Sequence, residues 1–156
     1  MDLLLDNNKL EFSKEQMLDE KPIKCRNAKD FETRYLRKVF DKNITVYRIL
    51  DSRKESFKLS AAYKDKVNVI NIITAPEIEM LIIYKEGKYK EYKKYGKKPS
   101  DYCKDKLKYG NVKNYEFVKN YFKDIDDLVN TICEHKRIAK ILKGERTLCD
   151  LLKKNN

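Results

Sequence analysis

The chain has 156 residues, of which 41% are hydrophobic, 11% aromatic and 39% charged, and its formal net charge is +11. That length and apolar content exclude a wholly disordered chain and suit one domain with a real core under a heavily solvated surface. No apolar run approaches the ~20 residues of a membrane-spanning helix, and LLL at 3–5 lacks the basic start of a secretory leader, so a cytoplasmic protein without membrane contact is expected.

Residues 1–20 hold six acids against two lysines and read as an acidic N-terminal segment, peripheral to a domain over 21–156. A short strand is predicted at 3–5. A short helix is predicted at 13–18, opened by a Ser13/Gln16 capping box. From residue 21 the pattern turns α/β. Residues 22–26 suit a short strand. Asn27 is a good N-cap for a helix over 28–40, which places Phe31, Tyr35, Leu36, Val39 and Phe40 on one face. ITVYRILD (44–51) is β-rich, reads as a buried strand and ends in an acid. A short helix is predicted near 57–63. VNVINII (67–73) is the second strand, and the segment between the two strands is long enough for a parallel crossover.

Thr74-Ala75-Pro76-Glu77 is a T-x-x-E capping box with proline in the first turn, so a helix is predicted from there to about residue 86. Further helices are predicted at 99–108, 114–122 and 125–143, with Gly144 as a stop. Residues 145–153 close the chain with Leu148, Leu151 and Leu152. The fold class is therefore α/β: a small, mostly parallel sheet with flanking helices, then a helical C-terminal half, basic from about residue 87.

Two acids stand out. Glu77 is accounted for as the capping-box residue. Glu79 falls in an apolar sector beside Ile82 and Ile83, too late for a cap. It is expected either to pair with a base such as Arg48 or Arg53, or to act as a metal ligand or general base. Asp51 ends a strand, where open α/β sheets place ligand groups; its alternative is a turn or N-cap role in DSRKES. If the strands are parallel neighbours, Asp51 and the Glu77/Glu79 turn share one edge, with Arg53 and Lys54 placed to steer phosphate and Mg²⁺ (or Mn²⁺) as the fitting ion.

DFETRYLRKVF (30–40), ITVYRILDSRK (44–54) and TAPEIEMLIIY (74–84) together resemble RloB-like proteins and the wider TOPRIM-related nucleases of bacterial phage-defence systems. The resemblance spans about residues 22–86. It implies a small α/β sheet whose strand-end carboxylates bind Mg²⁺ for phosphodiester cleavage, with Asp51 and Glu79 as catalytic metal ligands. Two family acids are missing. Arg26 and Asn27 stand where a Glu-Gly turn is expected, and Asp51-Ser52-Arg53 replaces an Asp-x-Asp motif. Catalysis would then be lost or altered.

Residues 85–112 carry ten lysines against four acids. Within GKYKEYKKYGKKPSDYCKDKLKYG, the lysines 88, 90, 93, 94, 97, 98, 104, 106 and 108 would neutralise phosphates, and Tyr92 and Tyr95 would stack on unpaired bases. Lys88, Lys90, Lys93, Lys94, Lys97, Lys98, Lys104, Lys106 and Lys108 equally suit a lysine-rich solvated surface. Tyr89, Tyr92 and Tyr95, three residues apart, equally suit a helix face packed on the core. Cys25, Cys103, Cys133 and Cys149 lack CxxC spacing, and His135 is the one histidine. Free thiols are expected, without structural zinc or Cys-His or Ser-His-Asp chemistry. The expected partner is DNA or RNA, with a protein partner as the other option. The expected function is a nucleic-acid-related role in phage–host conflict, in a protein that resembles a metal-dependent TOPRIM-like nuclease with degenerate acidic motifs and with catalysis left open; the alternative is a non-enzymatic basic binding protein or inhibitor that grips nucleic acid or a partner protein.

Overall fold

A computed structural model describes residues 1–37, 43–51, 55–74, 78–138 and 141–154. Its sheet has three strands in the order β1-β2-β3, where β1 is Ile44–Leu50, β2 is Val67–Ile73 and β3 is Arg146–Thr147. Both pairings are parallel. Ile44 lies opposite Val67 and Leu50 opposite Ile73, while Ile72 and Ile73 lie opposite Arg146 and Thr147. Parallel neighbours need crossovers. The helical half is thus, in topology, the crossover that carries the chain from β2 to β3.

Helix α1 is Asp2–Asp6 and α2 is Ala28–Phe31, the latter continued by a wider π turn over Glu32–Leu36. Asn27 caps α2, its Oδ1 accepting from the Asp30 N–H at 2.8 Å. The crossover comprises α3 (Ile78–Lys85), α4 (Tyr89–Tyr95), α5 (Pro99–Asp105), α6 (Tyr115–Tyr121) and α7 (Ile125–Ile138). Helix α3 is apolar around most of its circumference, and such a helix is stable only when enclosed. It packs against α5 and α7, and Ile82 and Ile83 have no exposed surface. Helix α7 is amphipathic and turns Leu128, Ile132 and His135 inward. No described helix is long and apolar enough to cross a membrane.

Several boundaries differ from expectation for identifiable reasons. The 3–5 segment is helical, not a strand, and residues 1–12 are not peripheral. Leu4, Leu5 and Leu10 join the main core. Leu10 bridges Leu152 antiparallel, and the Glu11 N–H donates to the Leu151 carbonyl at 2.8 Å. Burial of these apolar side chains in the main core overrides the local β preference. The Ser13/Gln16 box does form, but it opens only the 3₁₀ turn Lys14–Gln16. Residues 22–26 have no strand pairing, and residues 61–66 form turns rather than a helix. Strand β1 is half-buried: Leu50 is buried while Ile49 faces outward at 39% exposure. Arg48 is its unexpected buried residue. Its guanidinium lies over the Phe57 ring at 4.7 Å and donates to Asn71 at 3.2 Å and Glu55 at 3.4 Å. Past α7 the chain gives β3 and the 3₁₀ turn Leu148–Leu151. The helix is thus shorter than predicted, and a strand replaces part of the closing segment.

Candidate functional site

The carboxyl edge of the sheet is where β1 and β2 end in register. The Thr74 N–H and Oγ1 both donate to the Leu50 carbonyl, at 2.7 and 3.0 Å. They hold the two chain exits together, with Asp51 next after Leu50. Asp51 is exposed. Arg53, Lys54 and Glu77, with the Thr74–Glu77 capping box, fall outside the described residues.

Glu79 lies in the first turn of α3 and is 1% exposed. Among the described residues its partner is a lysine and not Arg48, while Arg53 lies outside them. Oε1 is 3.5 Å from the Lys113 ammonium, whose side chain reaches in from an exposed position. Oε2 is buried with no hydrogen-bond partner among the described residues. A carboxylate in this state is costly: desolvation of a buried ion commonly exceeds what one long ion pair returns. The Glu79 backbone carbonyl accepts from the Cys103 thiol at 3.6 Å. Burial, and then the nearby Glu79 charge, push that thiol up to about 11. Among the described residues, no group of three or more His, Cys, Asp or Glu side chains is placed to hold a metal ion. The residues that could offer oxygen to one are Glu79, through its unpartnered Oε2, and exposed Asp51.

The lysine-tyrosine tract folds as a helical hairpin, α4 and α5. Gly96 ends α4 at φ 73, a left-handed backbone that glycine adopts without a side-chain clash. Pro99 opens α5, where its missing N–H costs nothing. The three-residue spacing puts Tyr89, Tyr92 and Tyr95 on the inner side. Tyr92 and Tyr95 meet the edge of Tyr102 at 5.6 and 5.2 Å, and Tyr102 is 2% exposed. Tyr89 packs on Tyr84 of α3 at 4.8 Å. The two tyrosines proposed for base stacking are therefore engaged within the fold.

The hairpin's acids are engaged as well. Glu91 takes Lys88 at 2.6 Å and the Tyr102 hydroxyl at 3.3 Å. The Lys88 hydrogen bond holds the Glu91 carboxyl below its usual range. Asp105 accepts from the Tyr95 hydroxyl, which lowers the acid and pushes the phenol up to about 12. Outside this frame Lys90, Lys93, Lys94, Lys97, Lys98, Lys104, Lys106 and Lys108 are exposed. Lys93 sits over the Tyr89 ring at 5.4 Å, and Lys97 and Lys106 flank Tyr95 at 5.5 and 5.9 Å. Such contacts orient the stems and leave the ammonium groups accessible.

Residues distant in sequence escaped the sequence reading. Lys113 carries no local sign that it serves Glu79. Glu86 accepts from the hydroxyls of Tyr109 at 3.0 Å and Tyr121 at 2.6 Å, which ties α3 to α6. Compared with protein-family models, curated proteins and solved structures, the chain matches none.

Proposed function

We propose that the protein is a non-enzymatic nucleic-acid-binding protein that grips the phosphate backbone with the outer surface of the α4–α5 hairpin. One observation carries this reading: the hairpin uses its tyrosines and two of its acids internally while eight lysines stand exposed around it. Clustered cations on a rigid frame attract a polyanion and release its counterions, a driving force that needs no base contacts. With Tyr92 and Tyr95 turned inward, the grip favours backbone over bases.

A second reading, the metal-dependent nuclease, is favoured by the buried Glu79 Oε2, which has no hydrogen-bond partner among the described residues. Asp51 would be its co-ligand for Mg²⁺ or Mn²⁺. A role in phage–host conflict belongs with that reading, since both come from the TOPRIM-like resemblance. Against it stand the exposure of Asp51 and the enclosure of Glu79 among Ile82 and Ile83.

One experiment separates them. Labelled single-stranded DNA, single-stranded RNA and duplex DNA are titrated by fluorescence anisotropy, with and without Mg²⁺ or Mn²⁺, and the products are then run on denaturing gels. Backbone gripping predicts binding to all three that weakens steeply between about 50 and 200 mM salt, no cleavage, and no change in Asp51→Ala. Metal-dependent cleavage lost in Asp51→Ala would establish the nuclease instead. No binding to any polyanion would overturn both and leave a protein partner.

A further inference from the structure

The cysteines show no redox spacing in the sequence, yet the fold brings two of them together. Cys133 lies on the exposed side of α7, and Cys149 lies in the 3₁₀ turn Leu148–Leu151. Their Sγ atoms are 2.6 Å apart. Non-bonded heavy atoms of this size rest roughly 3.5–4 Å apart, and a covalent S–S bond is about 2.05 Å. The two thiols are thus nearer to bonding distance than to ordinary contact, and closing the gap asks for about half an ångström of movement.

The surroundings favour the same step. Lys136, one turn past Cys133, pairs with Asp150, the residue after Cys149, so the two segments are already tied side by side. The Lys136 ammonium is close enough to feel both sulfurs. Cys133 is exposed and Cys149 partly buried, which suits an accessible attacking thiol and a sheltered resolving one. Burial, and then the Cys133 contact, push the Cys149 thiol up to about 12, so Cys149 reacts second. The other two cysteines are unlike this pair. Cys103 is fully enclosed, and the Cys25 thiol donates to the Asn27 carbonyl.

We propose that Cys133 and Cys149 form a reversible intramolecular disulfide by exchange with a low-molecular-weight disulfide of the glutathione class. The Cys133 thiolate attacks the small disulfide, its S–S bond breaks, and one small thiolate leaves and takes up a proton. A mixed disulfide remains on Cys133. Cys149 gives its proton to water and displaces the second small thiol, forming the protein S–S bond. Two protein thiols are oxidised, and one small disulfide is reduced to two thiols. The crosslink closes the segment that contains β3 and fastens the last strand of the sheet to α7. It also fixes the end of the chain that the N-terminal segment pairs with through Leu10 and Leu152.

The full chain is equilibrated in glutathione buffers from fully reduced to fully oxidised, acid-quenched, unfolded and alkylated with N-ethylmaleimide. Intact mass and peptide mapping then locate the labels. Four labels are expected from the reduced protein, and two fewer from the oxidised protein, with Cys133 and Cys149 protected. The oxidised form should melt about 5–10 °C higher, as expected for a crosslink closing a loop of this length. In Cys149→Ser, Cys133 should accumulate as the mixed disulfide with glutathione, because the resolving thiol is gone. Labelling of both cysteines under oxidising conditions, a stable mixed disulfide in the wild-type protein, or crosslinked dimers on a non-reducing gel would each overturn the proposal. None of these readouts involves nucleic acid, so this result and the binding result are independent.

Discussion

The carboxyl edge of the sheet and the α4–α5 hairpin arrange charge in opposite ways. At the edge, Glu79 is buried and, among the described residues, pairs with the Lys113 ammonium at 3.5 Å. In the hairpin, aromatic rings are turned inward and ammonium groups outward. One region strains to keep a charge inside. The other builds a frame that holds many charges at the surface. Charge in the first is useful only if something binds it, whereas charge in the second is already presented to solvent.

The contrast can be broken most forcefully at Tyr102. Tyr102→Ala removes the ring on which Tyr92 and Tyr95 rest, and it should cost about 3 kcal/mol in urea denaturation. Binding should weaken with it, because the lysines lose their frame. Tyr102→Phe keeps the packing and should leave binding intact. A Tyr102→Ala protein of native stability would mean that the rings do not hold the hairpin.

Glu79 sharpens the other side. Replacing a poorly compensated buried carboxylate with an apolar side chain of similar volume should be favourable, so Glu79→Met is expected to raise stability by about 1 kcal/mol. Thermal melts with added Mg²⁺ or Mn²⁺ provide the control. A metal-induced rise in wild type that Glu79→Met abolishes would make Glu79 a ligand rather than a buried liability.

Acid should separate the two regions more gently. His135 on α7 packs 5.7 Å from Tyr84 of α3, and burial lowers its pKa below the usual 6.5. Its Nε2 has no hydrogen-bond partner among the described residues. The unfolded chain therefore binds a proton first. Stability falls as pH drops below 6.5 toward the folded pKa, and in His135→Phe that loss should vanish. The hairpin responds later. Glu91 and Asp105, both lowered by hydrogen bonds, contribute stability that is present above their ordinary values and lost as pH falls through their folded values. With one histidine in the chain, its imidazole NMR titration is unambiguous. A midpoint at or above 6.5 would contradict this order.

What was legible in the sequence was local. Asn27 and Pro99 each act within one turn, and they start helices where the residues themselves predict them. The runs ITVYRIL and VNVINII gave two strands whose periodicity needs no partner to be read. Glu79 was recognisable as an acid on an apolar face, and the tyrosine spacing allowed a packed helix face. The unread features depend on distant partners. Strand β3 is two residues that exist because Ile72 and Ile73 offer an edge. Helix α1 joins the core through Leu4 and Leu5, which are buried with residues far along the chain. Lys113 and the Cys133–Cys149 pair are joined to their partners only by the fold.

If the placement of the hairpin lysines, and not the overall charge of +11, carries the proposed binding, removing lysines there must cost more than removing them elsewhere. Matched variants test this: Lys93, Lys94, Lys97 and Lys98 to Gln in one, and exposed Lys21, Lys24, Lys64 and Lys66 to Gln in the other. Each loses the same charge. The dependence of log affinity on log salt for single-stranded DNA should become shallower by roughly 3 in the hairpin variant and stay near wild type in the second. Equal losses in both would show that net charge alone attracts the polyanion and would contradict the account.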